Sequence, residues 1–223
     1  MHRWNDRDED RHDDAPVEAW WWWGAGEASL GGERCRAGVV VGFELHGRSF
    51  DYWAGLVRVG HPYLYVEELG GRGLRAGLEV KPPEMWAGHS CDVPFRQWSL
   101  GNEAHGVLLD DPTEAWRQAR GVVVPVTFDV EWYAAGDPEP VAGLPAGADG
   151  YEQVGEVDVR VELAEGELAL EGPGRRVHVW GVPHVPRSLA MPIDHQGLRA
   201  PYRRRDGARV DQVLTGSGWW VSA

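Results

Sequence analysis

Lysine is almost missing from this 223-residue chain: only Lys81 among its 22 basic residues is lysine, and 35 acidic residues leave a formal charge of −13. That deficit of positive charge argues against nucleic acid as a partner, because counterion release needs a basic surface. It also argues against adhesion to an anionic membrane. Long apolar runs are missing too. No stretch reaches the length of about 18 residues that a spanning helix needs. The N-terminus lacks the charged-then-apolar order of a secretory signal, so the expected location is cytoplasmic. Cysteine is scarce, with Cys35 and Cys91 alone and without metal-ligand spacing, which predicts free thiols. No C-x-x-C, H-E-x-x-H or G-x-S-x-G occurs, so neither a metal nor a serine nucleophile is expected. Gly70-Gly71-Arg72-Gly73 lacks the Lys-Ser/Thr ending of a phosphate loop and reads as a turn. No cofactor is expected.

What the chain has instead is alternation. Between Gly150 and Gly181 the apolar residues Val157, Val159, Val161 and Leu163, then Leu168 and Leu170, then Val177 and Val179 recur at every second position. A period of two predicts strands with one dry face, with Gly166 at a hairpin turn and Gly172-Pro173-Gly174 as a break. Val122 to Tyr133 is as clear, with Val124, Val126, Phe128, Val130 and Trp132 on its dry face. Gly38–Leu45 and Ser49–Val59 form a predicted hairpin, and Tyr63–Leu69 a further strand. Ser188–Met191 and Arg209–Leu214 are shorter strands. One helix is predicted, from the cap Asp111-Pro112-Thr113-Glu114 to about Arg120.

The expected fold class is therefore all-β, a lipocalin-like antiparallel barrel or sandwich, as one barrel or two barrel-like halves. Residues 1–14, nearly all charged or polar, read as a disordered acidic arm. Residues 15–134 form the N-terminal half and 150–223 the C-terminal half, joined by the Gly/Pro/Ala-rich stretch between them.

Candidate chemistry collects in three places. Trp20-Trp21-Trp22-Trp23 cannot all face one side of a strand, so two should point inward and two outward, and Trp22 is a candidate wall for an apolar ligand. Packing alone is the commoner use of such residues. Residues 84–109 hold Trp86, Trp98, Glu103 and His105. On a strand from Arg96 to Leu109, Glu103 and His105 share one face. If that face lines a cavity they can act together in proton transfer; a solvated face is the commoner outcome. Third, Tyr151, Arg176, His178 and Trp180 flank the long hairpin.

Tyr151-Glu152-Gln153 followed by Arg176-Val177-His178-Val179-Trp180-Gly181 resembles a family of actinobacterial proteins of unassigned function with YEQ and RDHSWG segments. These are similar to the lipocalin-like AttH and carotenoid 1,2-hydratase group. The likeness extends upstream through Trp86-Ala87-Gly88, Asp92–Ser99, Gly106–Pro112 and Val124-Pro125-Val126. It implies a cofactor-independent cyclase or hydratase acting on a polyene, terpenoid or polyketide in a barrel cavity. His178, His105, Glu103 and Arg176 would be catalytic, and Trp86, Trp98, Tyr151, Trp180 and Trp22 would bind ligand. The chain departs from the pattern where Val177 and Val179 replace Asp and Ser. If the Asp orients the histidine, His178 lacks its partner, and a non-catalytic carrier for a hydrophobic small molecule is the alternative.

Overall fold

Two-residue periodicity runs along nearly every segment of the structure, a computed structural model that describes residues 3–12, 14–74, 77–109, 111, 114–115 and 119–182, with the backbone of 199–203, 209–215 and 218–222. Strand β1 (Val17–Leu30) turns through Gly31 and Gly32, whose φ values of 57° and 87° suit glycine, into β2 (Glu33–His46). There follow β3 (Ser49–Arg58), β4 (Leu64–Arg72), β5 (Leu78–Val80), β6 (Met85–Val93), β7 (Gln97–Leu109) and β8 (Gly121–Ala134). A short β9 (Glu139–Pro140) precedes the long hairpin of β10 (Asp149–Leu163) and β11 (Gly166–Trp180). No α-helix occurs among the described residues; half of the predicted helix at 111–120 falls outside them, and the described half is not α-helical.

The sheet order is β4-β3-β2-β1-β11-β10-β8-β7-β6-β5, and β4 also pairs β7 at Leu64–Leu108 and Tyr65–Val107. That second pairing closes the path into a ring of β1, β2, β3, β4, β7, β8, β10 and β11. The ring is a lipocalin-like antiparallel barrel. Closure satisfies the backbone donors and acceptors that an open edge leaves exposed. β12 (Arg199–Arg203), β13 (Arg209–Thr215) and β14 (Gly218–Ser222) form a separate three-stranded sheet. The predicted strand at 188–191 lies outside the described residues.

The stretch expected to link two halves instead joins neighbours within the ring. β8 and β10 pair from Ala134–Gly155 to Thr127–Glu162, and β9 pairs with β10. Strands from both expected halves thus share one barrel, because β11 pairs with β1 from Trp180–Glu18 to Gly174–Gly24 and from Glu171–Glu27 to Leu168–Leu30.

Inside lie Trp20, Trp22, Val39, Val41, Phe43, Trp98, Phe128, Trp132, Val157 and Leu170 with their neighbours. A second apolar cluster on the outer side of β1–β4 and β11 holds Trp21, Trp23, Val40, Trp53, Tyr63, Val177 and Val179. The four tryptophans divide two and two as the pleat requires, and all four are buried. β11 corrects the sequence reading of the hairpin. It runs unbroken through Gly172-Pro173-Gly174, so Val177 and Val179, an odd number of residues from Leu170, face outward. Arg176, His178 and Trp180 take the inward face.

In place of a loose arm, residues 3–12 pack across one end of the barrel. Asn5 caps a 3-10 turn at Asp6–Glu9, accepting from the Arg7 amide at 3.1 Å, while Asp8 accepts from the Asn5 amide at 2.7 Å. Trp4 and Glu9 are buried. Composition argued for disorder because most of the segment is polar; two side chains that find complementary surfaces hold it.

Candidate functional site

Register brings one set of polar side chains to the end of the barrel where β1 starts and β11 finishes. Trp20 lies opposite His178 and Trp22 opposite Arg176, and on the other flank Tyr151 lies opposite His178 and Gln153 opposite Arg176. Directly paired residues share a face, so all six point inward. Trp98 of β7 and Trp132 of β8, also paired, complete the wall.

Arg176 is 1% exposed, and its guanidinium is held from three sides. Its Nε and Nη2 donate to Gln153 Oε1 at 3.0 and 2.8 Å, and Gln153 in turn donates to the carbonyls of Phe95 (2.9 Å) and Gly136 (2.8 Å). The rings of Trp132, Tyr151 and Trp98 lie 4.9, 5.1 and 5.7 Å from the guanidinium carbon. The remaining donors meet Glu9: Nη1 donates to Oε2 at 2.7 Å and Nη2 to Oε1. Glu9 also accepts from the Phe95 amide at 2.6 Å, Tyr151 Oη at 2.9 Å and Trp98 Nε1 at 3.2 Å. Phe95 can present its amide because the β6–β7 turn gives it a φ of 56°. Burial alone would raise the Glu9 carboxyl, but the bonds and charge of Arg176, with Tyr151 and Phe95, hold it below its ordinary value.

Beside this pair His178, fully buried, donates from Nε2 to Glu18 Oε1 at 2.7 Å. Its Nδ1 lies 3.2 Å from Tyr151 Oη. Trp20 stacks on its ring at 4.5 Å, and Trp180 packs at 4.9 Å. Burial lowers the His178 pKa, only partly offset by Glu18, so the ring is neutral near pH 7. Glu18, which burial would raise, is held low by hydrogen bonds from His12 and His178. A charged Glu18 needs the proton on Nε2, which leaves Nδ1 as an acceptor. Tyr151 has one proton and three acceptors in reach: Glu9, His178 and, at 3.3 Å, the Asp8 carbonyl. Burial pushes its pKa well above the phenol range.

His12, from the N-terminal segment, donates from Nδ1 to Glu18 Oε1 at 2.7 Å and stacks on Trp180 at 4.1 Å. Its pKa is lowered by burial but raised on balance by Glu18 and Asp8. The donor atoms of His12, Glu18 and His178 lie within 4.8 Å of one another, as do those of Glu44, His46 and Asp51 at the β2–β3 turn. Either trio is chemically able to hold a first-row divalent ion. In the first, Glu18 Oε1 already accepts from both imidazoles.

Of the residues singled out in the sequence, His178, Arg176, Tyr151, Trp98, Trp22 and Trp180 meet here. Glu103, His105 and Trp86 do not. Glu103 and His105 are exposed on the outward face of β7 and, with Trp86 of β6, line a surface groove of about 680 Å³. The pleat that turns Trp98, Leu100 and Asn102 inward turns Glu103 and His105 out. Glu9, His12, Glu18 and Gln153 belong to the site and were not singled out. Glu18 carried a legible signal, since it lies two residues before Trp20 and therefore on the same face.

Deeper in the barrel, His89 is ringed by Trp22, Phe43 and Tyr52 at 5.2, 5.5 and 5.7 Å. Neither of its ring nitrogens has a hydrogen-bond partner, and nor do the buried indole N–H groups of Trp20, Trp22 and Trp132. Burial drives the His89 pKa down to about 3.

No protein-family model matches the chain, and no curated protein does. Among solved structures it is similar to a protein of Nitrosomonas europaea described as AttH, at 10% identity and a TM-score of 0.48, over 96% of this chain and 70% of that one. It is also similar to CghA, solved with Sch210972, at 12% identity and a TM-score of 0.37, over 90% of this chain and 54% of that one. The chain thus spans about half the length of CghA. Both likenesses concern fold and carry nothing about substrate. Among the described residues no helix is long and apolar enough to cross a membrane.

Proposed function

We infer that the protein is a cofactor-independent enzyme of the cyclase or hydratase type, acting on a hydrophobic polyene, terpenoid or polyketide at the inner end of its barrel. The observation that carries this reading is His178, held between the Glu18 carboxylate and the Tyr151 hydroxyl among tryptophan faces. Glu18 fixes the tautomer and stabilises the imidazolium that forms when Nδ1 takes a proton. Tyr151, kept as a phenol by burial, is the complementary donor to a carbonyl or double bond. The faces of Trp20 and Trp180 stabilise positive charge developing on a polyene. Positioned acid–base groups of this kind contribute about 10²–10⁴-fold to rate.

A carrier reading is favoured by a different observation. His178 and Tyr151 are both fully buried, so in the arrangement described no bound molecule reaches them.

The two readings separate on turnover. The full-length protein is incubated with a panel of polyenes and linear polyketides and the products are analysed by mass spectrometry. An enzyme converts at least one compound, and His178→Ala lowers conversion at least about a hundredfold while binding persists. Saturable binding with no product from any compound removes the enzymatic reading and leaves the carrier.

A further inference from the structure

The cradle around Glu9 is built by the barrel, not by the segment that occupies it. Its donors come from four separate places: Arg176 on β11, Tyr151 on β10, Trp98 on β7 and the Phe95 amide at the β6–β7 turn. Gln153 fixes the guanidinium fork through Nε and Nη2 without any help from Glu9, and three rings clamp its faces. A planar, pre-oriented fork with three further donors matches both oxygens of one carboxylate. The segment that fills it is short and highly charged, and it reaches this end of the barrel with two buried groups, the Glu9 carboxylate and the Trp4 indole, which packs on Tyr151 at 5.2 Å. It thus offers the barrel one carboxylate and one flat apolar body.

We propose that this cradle is the carboxylate subsite for a hydrophobic organic acid, and that Glu9 is its resident self-ligand, displaced when the acid binds. The proposal rests on the reading of the barrel end as a small-molecule site and names the class of molecule. A buried guanidinium left unpaired is strongly destabilising, so the segment leaves only when another anion takes its place. The three orphan indole N–H groups and His89 lie on the inward face behind the cradle, where polar atoms along the acid would find donors.

The test uses the full-length protein, Glu9→Ala, and Glu9→Gln, which keeps the packing and guards against misfolding. The probes are cis-parinaric acid, a fluorescent conjugated polyene acid, and its methyl ester, followed by saturable tryptophan quenching. Thermal unfolding in acetate and in chloride at equal ionic strength supplies a second readout. A tethered competitor acts at high effective concentration. Both variants should therefore bind the acid at least about tenfold more tightly than the unaltered protein, with the ester indifferent. Acetate, but not chloride, should raise the Tm of Glu9→Ala. If acid and ester bind alike, carboxylate recognition fails while the hydrophobic site stands. If the acid binds the unaltered protein and the variants equally, its site is not the Glu9 cradle and the proposal falls. If neither probe binds, the small-molecule reading fails and acetate decides: rescue upholds the cradle as a carboxylate receptor, and its absence overturns it.

Discussion

Glu18 and His178 face each other diagonally across the β1–β11 pair, Glu18 Oε1 accepting from His178 Nε2 at 2.7 Å. Glu18 is opposite Trp180 and Trp20 is opposite His178, so the contact is the two-residue diagonal that cross-strand geometry permits. The histidine has an orienting acid after all, supplied by a neighbouring strand. Glu18→Gln should free the tautomer. Long-range nitrogen–proton spectra should show His178 as the Nε2–H form in the unaltered protein and as a mixture in the variant, with about 1.5–3 kcal/mol of stability lost. An unchanged tautomer would mean that Tyr151, not Glu18, sets it.

The same register explains what Val177 does. The family pattern this chain resembles has an Asp at this position, and the resemblance raised that Asp as an orienting partner for the histidine. Adjacent strand residues point to opposite faces, however, and Val177 is buried in the outer cluster with Trp21 and Val179. Val177→Asp should therefore bury an unpaired carboxylate and destabilise the fold by at least about 2 kcal/mol, without altering the His178 spectrum. A neutral or stabilising effect in urea titration would contradict this placement.

Arg176 and Glu9 form a buried pair whose members depend on each other. Removing one leaves the other charge buried and alone, which costs about 3–5 kcal/mol. Arg176→Met and Glu9→Leu should each lose stability on that scale, and the double variant should lose less than either. A double variant that loses the sum of the two would show that the side chains act independently.

Much of this was legible in the sequence, and the rest failed for identifiable reasons. Val124 to Trp132 and Val157 to Leu170 were readable as strands because alternation survives wherever one face is dry. Ring closure was not, since it depends on Leu64 and Tyr65 meeting Leu108 and Val107, a pairing no local pattern encodes. Arg176, His178, Tyr151 and Trp98, which the structure brings together, were readable as candidates from the motifs around them. Glu9 was not, because its burial depends on a cradle assembled from residues 86 to 167 positions away. Parity along β11 was lost at Gly172-Pro173-Gly174, which reads as a break and is strand.

Glu103 and His105 lie on the solvent face of β7, and their placement gives a sharp negative expectation. Exposed substitutions outside special features stay within about 0.5 kcal/mol. Glu103→Ala and His105→Ala should unfold at the same urea midpoint as the unaltered protein and quench identically with a polyene probe. A loss of turnover in either, with binding unchanged, would move the chemistry to the outer groove beside Trp86.

His89 gives the protein a built-in sensitivity to acid. Its folded pKa is pushed down to about 3 by burial, against an ordinary 6.5. Between those values the unfolded chain binds a proton that the folded chain refuses. Its contribution to stability is therefore complete above about pH 6.5 and is lost as pH falls towards 3. The gap of about 3.5 units corresponds to about 5 kcal/mol at the acid limit. His178, also held neutral by burial, acts in the same direction. Glu9 and Glu18, with lowered pKa values, add their loss as pH falls below the ordinary carboxylate value of 4.5. His12 opposes them, since its raised pKa means a contribution present below 6.5 and lost as pH rises. His89→Leu removes only the first of these. Urea midpoints measured from about pH 7.5 down to about pH 5 should fall less steeply in His89→Leu than in the unaltered protein. Parallel slopes would show that His89 gains a partner or solvent on protonation and that the aromatic ring around it opens in acid.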